Sequence, residues 1–330
     1  MSPSHGELAL FALRSGRAFG LRVAEELGHR LADHEEREFE WGQHKARPLE
    51  SVRGKDVYVV QSLHGDAEQS TNDKLCRLLF FLGALRDADA GRVSAVVPFL
   101  CYSRKEVKTK PRDPVTTRYV AALFEAVGVD RVVTLEVHNP AAFQNAFRCR
   151  TEHLEAHGLF GAFFAERFAD RDVAVVSPDV GGIKRADRYR RALEHRLARP
   201  LADGFVEKHR SAGVVSGERL VGEVAGRTVL LVDDMISAGT TLARASEACR
   251  KAGAREVVAA VAHGAFVPAA SRVLADAPLD RIVVLDHIPP DALEPALVEA
   301  KLTLLDGASL VAEAIRRMHG GGSLVELLEG

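Results

Sequence analysis

Residues Thr228 to Leu242, TVLLVDDMISAGTTL, constrain this chain more than any other stretch. An apolar run rich in β-branched and aliphatic residues meets two adjacent acids, then a short loop of Ser, Gly and Thr. Buried parallel strands read as continuous apolar runs, and the loop after such a strand lies at the carboxyl edge of an open α/β sheet, where these folds bind ligands. The stretch therefore predicts a buried strand with Asp233 and Asp234 at a ligand-binding edge, and Ser237, Ala238, Gly239, Thr240 and Thr241 opening a helix. Free N–H groups at a helix N-terminus, aligned with the helix dipole, favour an anion such as phosphate. Paired carboxylates suit vicinal hydroxyls, whose two O–H donors they accept. A ligand carrying both groups is a ribose phosphate.

Elsewhere strands alternate with helices, which predicts largely parallel sheets. Leu8 to Leu13 reads as a strand, and Arg14 to Gly16 turn into a helix with Leu21, Ala24 and Leu27 at helical spacing, closed by Gly28. After a polar segment, Glu35 to Arg53, come the strand Val57 to Gln61 and a helix with Leu75, Leu78, Leu79, Leu82 and Leu85 on one face. Strand Val93 to Phe99, a basic loop from Ser103 to Thr116, helix Thr117 to Val127 and strand Val132 to Val137 follow. The second half offers strand Asp172 to Ser177, loop Pro178 to Gly182, helix Ile183 to Leu197 and a polar stretch, Lys208 to Arg219, before the central strand. Beyond it lie helix Leu242 to Lys251, strand Val257 to Val261 and a tail helix, Ala308 to His319.

An internal repeat links the halves. Asp130 to Pro140, DRVVTLEVHNP, recurs as Asp280 to Pro290, DRIVVLDHIPP, sharing the Asp-Arg pair, a Val, the Leu and the last Pro without gaps. In this register the strand ending at Gln61 and Ser62 corresponds to the one ending at Asp233 and Asp234. Only the second half carries the acids, so one sugar site per chain is expected.

With 330 residues the chain accommodates two domains. Its formal net charge of −2 gives no global attraction to nucleic acid or membrane. Cys76, Cys101, Cys149 and Cys249 form no CxxC pair, so reduced thiols in a cytoplasmic protein are expected rather than a zinc site or disulfides. The first residues, MSPSHGELALFALRSG, lack a basic region followed by a long apolar core, and no apolar run approaches membrane-spanning length. A protein that is neither exported nor membrane-embedded is expected.

The acid pair and its loop resemble the fingerprint of the type I phosphoribosyl family. Together with SVRGKD at Ser51, SPDVGG at Ser177, VDDMI at Val232 and AEAIRRMH at Ala312, they resemble the ribose-phosphate diphosphokinase family over nearly the whole chain. The resemblance implies an α/β fold made of a tandem pair of type I phosphoribosyltransferase-like domains, each a mainly parallel sheet flanked by helices. It places a nucleotide-side domain at 1–150 and a ribose 5-phosphate-side domain at 151–307, with a C-terminal helix, 308–320, packing on the first. The implied reaction is transfer of the diphosphoryl group of ATP to the anomeric hydroxyl of ribose 5-phosphate, with Mg2+, in a homo-oligomer that shares its adenine site between subunits.

Residue by residue, the resemblance puts Asp233 and Asp234 at the ribose hydroxyls and Ser237 to Thr241 around the 5-phosphate. His138 and Asp179 match the magnesium positions, His138 also lying near the nucleotide. Lys208 and Arg210 match a catalytic Lys-x-Arg on a mobile loop, and Arg104 and Lys105, with Lys108, Lys110 and Arg112, match the ATP-binding loop. Such cations stabilise a phosphoryl-transfer transition state. Phe39, Trp41 and Gln43 lie where the family has Phe-x-Asp-Gly-Glu, so both acids of the adenine-contacting motif are replaced, and Trp41 is suited to stack on a base. The loop Ser-Ala-Gly-Thr-Thr also departs from the family's Asp-Thr-Ala-Gly-Thr, towards a phosphoribosyltransferase loop. Two other readings therefore stay open: a phosphoribosyltransferase that consumes the diphosphate, and a non-catalytic regulatory homologue of the synthase.

Overall fold

The computed structural model describes residues 6–211 and 214–329, with the side chains of 208–218 and 329 outside that description. The chain divides into two compact units, Met1–Glu155 with Ala308–Gly330, and Ala156–Gly307.

The first unit runs β1 (Leu8–Ala12), α1 (Arg17–Leu27), β2 (His34–Glu38), β3 (His44–Pro48), β4 (Asp56–Val60), α2 (Thr71–Asp87), β5 (Arg92–Val96), α3 (Thr116–Ala126), β6 (Arg131–Leu135), α4 (Pro140–Ala146) and β7 (Arg150–Leu154). Its main sheet has the order β1-β4-β5-β6-β7, every pair parallel. Strands β4 and β5 are buried at every residue, as their apolar runs dictate. Helix α2 starts at a capping box, in which Ser70 accepts from the Asp73 N–H and Asp73 accepts from the Ser70 N–H. It lays Leu78, Phe81, Leu82 and Leu85 into a core with Phe11 and Phe124. Each such side chain taken out of water contributes about 1.5–3 kcal/mol.

The second unit runs α5 (His157–Phe168), β8 (Val173–Ser177), α6 (Ile183–Leu197), β9 (Ala202–Ser211), β10 (Val214–Gly222), β11 (Thr228–Ile236), α7 (Thr240–Lys251), β12 (Glu256–Gly264), α8 (Ala270–Asp276), β13 (Arg281–Leu285), α9 (Pro295–Lys301) and β14 (Leu302–Leu305). Its sheet has the order β10-β9-β8-β11-β12-β13-β14, parallel except where β10 returns antiparallel to β9. The series β8-β11-β12-β13-β14 repeats the order of β1-β4-β5-β6-β7. The α/β architecture of two mainly parallel sheets is thus the expected one.

The tail, α10 (Ala308–Gly320) and α11 (Leu324–Glu329), belongs to the first unit, where α10 packs on α1. It is tied there by a buried carboxylate. Asp56 accepts from Arg92 Nε at 2.6 Å, from Tyr58 OH at 3.1 Å and from His319 Nδ1 at 2.8 Å, while Arg92 Nη2 also reaches the Met318 carbonyl at 3.2 Å.

Two polar stretches left without structure by periodicity are hairpins. Residues 34–48 pair as β2 and β3, and β9 pairs with β10, so the backbone of Lys208 and Arg210 is strand and not loop. In the first hairpin Glu35 stands opposite Arg47, whose Nε donates to it at 2.6 Å. Cross-strand charge pairs of this kind stabilise a ribbon that has no apolar face to reveal it. No helix among the described residues is long and apolar enough to cross a membrane.

Candidate functional site

Strand β11 runs on through Ile236, so Asp233 and Asp234 lie within its last turns of pleat rather than in the loop after it. They are unequal. The Asp233 side chain is 18% exposed and that of Asp234 only 4%. The Asp234 N–H donates to Asp233 Oδ1 at 2.8 Å, which folds the first carboxylate back over its neighbour. Arg185, on the first turn of α6 and buried, places Nη1 at 3.3 Å from Asp233 Oδ1 and 3.2 Å from Asp234 Oδ1. Burial, then the negative charge of Asp234, push the Asp233 carboxyl up to about 7, against the opposing pull of Arg185.

The loop after β11 is short. Ser237 and Ala238 are half-buried, Gly239 is buried, and Thr240 and Thr241 begin α7, Thr240 being exposed. Gly239 adopts φ +80°, and a Cβ there would lie 2.6 Å from Leu274 Cδ2. Only glycine fits both conditions. The first N–H groups of α7 lack intrahelical acceptors by helix geometry, so they and the Thr hydroxyls form an anion-ready rim next to Asp233.

Asp179 lies in the loop after β8, which pairs with β11, so both loops leave the same sheet edge. Its Oδ1 accepts the Gly182 N–H at 3.0 Å, and Ser177 Oγ donates to its carbonyl at 2.6 Å. A Cβ on Gly182 would fall 2.6 Å from Ser177 Oγ, so the turn into α6 needs glycine. The side chains of Lys208 and Arg210 lie outside the described residues.

In the first unit, Arg104 and Lys105 are exposed on the loop after β5, and His138 is half-buried after β6, the paired strand. The basic loop is braced internally. Thr117 Oγ1 donates to the Tyr102 carbonyl at 2.7 Å, and Asp113 accepts from Thr109 Oγ1 at 2.7 Å and from the Lys110 N–H at 2.8 Å. Near His138 the backbone is strained, since buried Glu136 takes φ +34°, a conformation that costs on the order of 1–3 kcal/mol and gathers at functional sites. Phe39, Trp41 and Gln43 sit at the tip of the β2–β3 hairpin. Trp41, at φ +60°, is 96% exposed, and the Phe39 N–H donates to the Gln43 carbonyl at 2.8 Å. No group of three or more His, Cys, Asp or Glu among the described residues is placed to hold a metal ion.

Arg185 was not among the residues singled out by sequence. In IKRADRYRR it reads as one more solvated cation. The available signal is its position, because a basic residue in a helix's first turn opposes the dipole and needs a compensating acid.

Comparison with known proteins extends these findings. Residues 8–128 match the model of the N-terminal domain of ribose phosphate pyrophosphokinase, and 212–329 match the phosphoribosyl synthetase-associated domain. The chain is 36% identical to the ribose-phosphate pyrophosphokinase of Caldanaerobacter subterraneus subsp. tengcongensis, over 97% of each chain. It is 34% identical to ribose-phosphate pyrophosphokinase 1 of Listeria innocua, over 98% of each. Among solved structures it resembles phosphoribosylpyrophosphate synthetase from Mycobacterium smegmatis, with TM-score 0.85 and 34% identity, covering 96% of this chain and 100% of that one.

Proposed function

The chain belongs to the ribose-phosphate pyrophosphokinase family, and we propose that it transfers the diphosphoryl group of ATP to the anomeric hydroxyl of ribose 5-phosphate. The anomeric oxygen bonds to the β-phosphorus as that atom's bond to the α-phosphate oxygen breaks, the hydroxyl proton is released, and AMP leaves. The products are 5-phosphoribosyl 1-diphosphate and AMP. One observation carries this reading: a half-open carboxylate, Asp233, stands on the same strand-to-helix junction as the glycine-dependent loop at the head of α7. Hydroxyl acceptor and phosphate cradle are thereby set side by side. The phosphoribosyltransferase and regulatory readings are not favoured, since the pyrophosphokinase relatives match along nearly the full length.

In this reading Asp233 and Asp234 bind the ribose hydroxyls and Ser237, Ala238, Gly239, Thr240 and Thr241 the 5-phosphate. Phe39, Trp41, Gln43, Arg104, Lys105 and His138 serve the nucleotide, and Lys208 and Arg210 stabilise the charge that develops on the transferred group. Magnesium is generally held by one or two carboxylates, with substrate phosphates and water completing its oxygen shell. Asp179 fits that role: one of its oxygens is engaged by Gly182, and the other accepts no hydrogen bond among the described residues. Asp179 on the second unit, and His138 on the first, would each serve magnesium, which supplies neutralisation of phosphate charge when bound. A shared adenine site, as the resemblance implies, makes the working form a homo-oligomer. The four free thiols suit a reducing compartment, the cytoplasm.

The test is direct. Purified protein with ribose 5-phosphate and MgATP is expected to release AMP in step with a phosphoribosyl diphosphate signal in the 31P spectrum. Folded protein that releases no nucleoside monophosphate with any nucleoside triphosphate overturns the assignment.

A further inference from the structure

Two neighbouring carboxylates receive a pair of hydroxyl donors best when both are ionised and both are held on one side. Consecutive residues of a strand send their side chains to opposite faces, and two adjacent buried acids tend to share a proton. Strand β11 alone therefore supplies neither condition at Asp233 and Asp234.

We infer that Arg185 is the positioning residue of the sugar site: its Nη1, in reach of both carboxylates, gathers them onto one side and opposes the burial and like charge that favour a proton on the pair, so that they can receive vicinal hydroxyls. Nη1 donates to Asp233 Oδ1 at 3.3 Å and stands 3.2 Å from Asp234 Oδ1 as an ion pair, an oxygen that takes no hydrogen bond among the described residues, so one nitrogen faces both acids. The guanidinium is 7% exposed, so its charge is not diluted by solvent. It is carried in by the first turn of α6, against the preference of a helix N-terminus for negative charge, and the acid pair is what compensates it. Asp233, the more open acid, is the one left to meet the ligand.

Among the described residues, no other charged group around Asp233 replaces this cation. Of the elements packed on β11, β8 has no titratable side chain. Strand β12 brings His263 beside Met235, buried and within 2.9 Å of His287. The neighbour of Arg185 on α6, Lys184, is exposed, and the charged residues of α7 begin at exposed Arg244.

The inference rests on the ribose-phosphate reading of this site, and the experiment separates the two. Ribose 5-phosphate affinity is measured by calorimetry from pH 5.5 to 9 for the wild type, Arg185→Gln and Arg185→Lys. The sugar phosphate's own ionisation is common to all three and cancels in the ratios. An opposite charge beside a carboxylate lowers its pKa by about 1–3. Losing the cation should therefore move the affinity midpoint up by about 1–3 pH units in Arg185→Gln, with binding weakened by about threefold to a few hundredfold at pH 7.5. Arg185→Lys should stay near the wild-type midpoint. Adding Asp234→Asn to Arg185→Gln should bring the midpoint back down, because the like charge is gone. Wild type that fails to bind ribose 5-phosphate overturns the site reading, and this inference with it. Binding wild type with an unmoved midpoint in Arg185→Gln overturns the inference alone. If Arg185→Gln does not fold, Arg185→Lys decides: a midpoint displaced by more than a pH unit despite its retained charge overturns the role.

Discussion

Asp130 and Asp280 do the same structural work in two different sheets. Asp130 accepts the Val93 N–H at 2.8 Å and pairs with Arg86 at 3.2 Å, while Asp280 accepts the Val257 N–H at 2.7 Å and pairs with Arg250. Each also returns its own N–H to the same residue, to the Val93 and Val257 carbonyls, both at 2.9 Å. The first acid of the repeated segment thus clamps the start of β6 to β5 and of β13 to β12. Truncating it leaves a strand-edge N–H and a guanidinium without their acceptor, a loss of about 1–3 kcal/mol. Asp130→Ala and Asp280→Ala should each lower Tm by roughly 2–4 °C per kcal/mol in a thermal melt followed by circular dichroism. A change below a degree in both would mean the clamp contributes nothing.

That clamp explains why the repeat's leading Asp was legible in sequence, since geometry requires it in both halves. Strand β11 was legible because burial on both faces leaves an apolar run that the acids interrupt. The helix Ile183–Leu197 was delimited by the glycines before it. What escaped has a shared cause. The sequences HEERE and HKARP of β2 and β3 carry polar residues on both faces, and what fixes them is contact across strands, which no local pattern reports. Likewise no local pattern marks Arg185 out from the other basic residues of α6, because the acid it bonds lies 48 residues away in the chain.

Gly239→Ala should abolish the phosphate cradle proposed at the head of α7. At φ +80° an L-residue is strained, and the new methyl would meet Leu274 Cδ2 at 2.6 Å and Cγ at 2.8 Å, a side chain wholly buried and unable to retreat. The cost is about 1–3 kcal/mol of stability, and relief of it by moving the loop would displace the N–H groups of α7. Ribose 5-phosphate affinity, read by calorimetry, should fall by more than about tenfold, with nucleotide binding to the first unit retained. Wild-type sugar affinity in this variant would remove the loop from the site.

His64 makes stability depend on pH. It is buried beside Lys74, whose Nζ lies 3.4 Å from His64 Nε2 and 2.5 Å from Asp66. Burial first, then the Lys74 charge, lower its pKa from the ordinary 6.5 to about 4. Between those values the unfolded chain binds more protons at this site than the folded one, so the site's contribution rises with pH across that window and is flat above it. The full swing is roughly 3 kcal/mol. His64→Asn should flatten the difference in Tm between pH 4.5 and pH 6.5 relative to wild type. An unchanged difference would show that His64 titrates in the folded protein as it does in water.

Trp41 is the chain's single tryptophan and projects 96% exposed from a hairpin tip, at φ +60°. An exposed aromatic in strained backbone contributes nothing to a core, so Trp41→Ala should alter stability by no more than about 0.5 kcal/mol. If it stacks on the donor base, its removal should cost about 1–3 kcal/mol of nucleotide binding, seen as a KM for ATP raised roughly five- to a hundredfold, while the KM for ribose 5-phosphate holds. Trp41→Phe should keep much of the affinity, because stacking needs a π-face and not an indole N–H. The wild-type protein gives a second readout without any variant: its emission should lie at the wavelength of fully solvated indole and quench on addition of MgATP. An ATP titration that leaves emission unchanged, with an unaltered KM in Trp41→Ala, would take the hairpin out of nucleotide recognition and leave that task to the basic loop at Arg104 and Lys105.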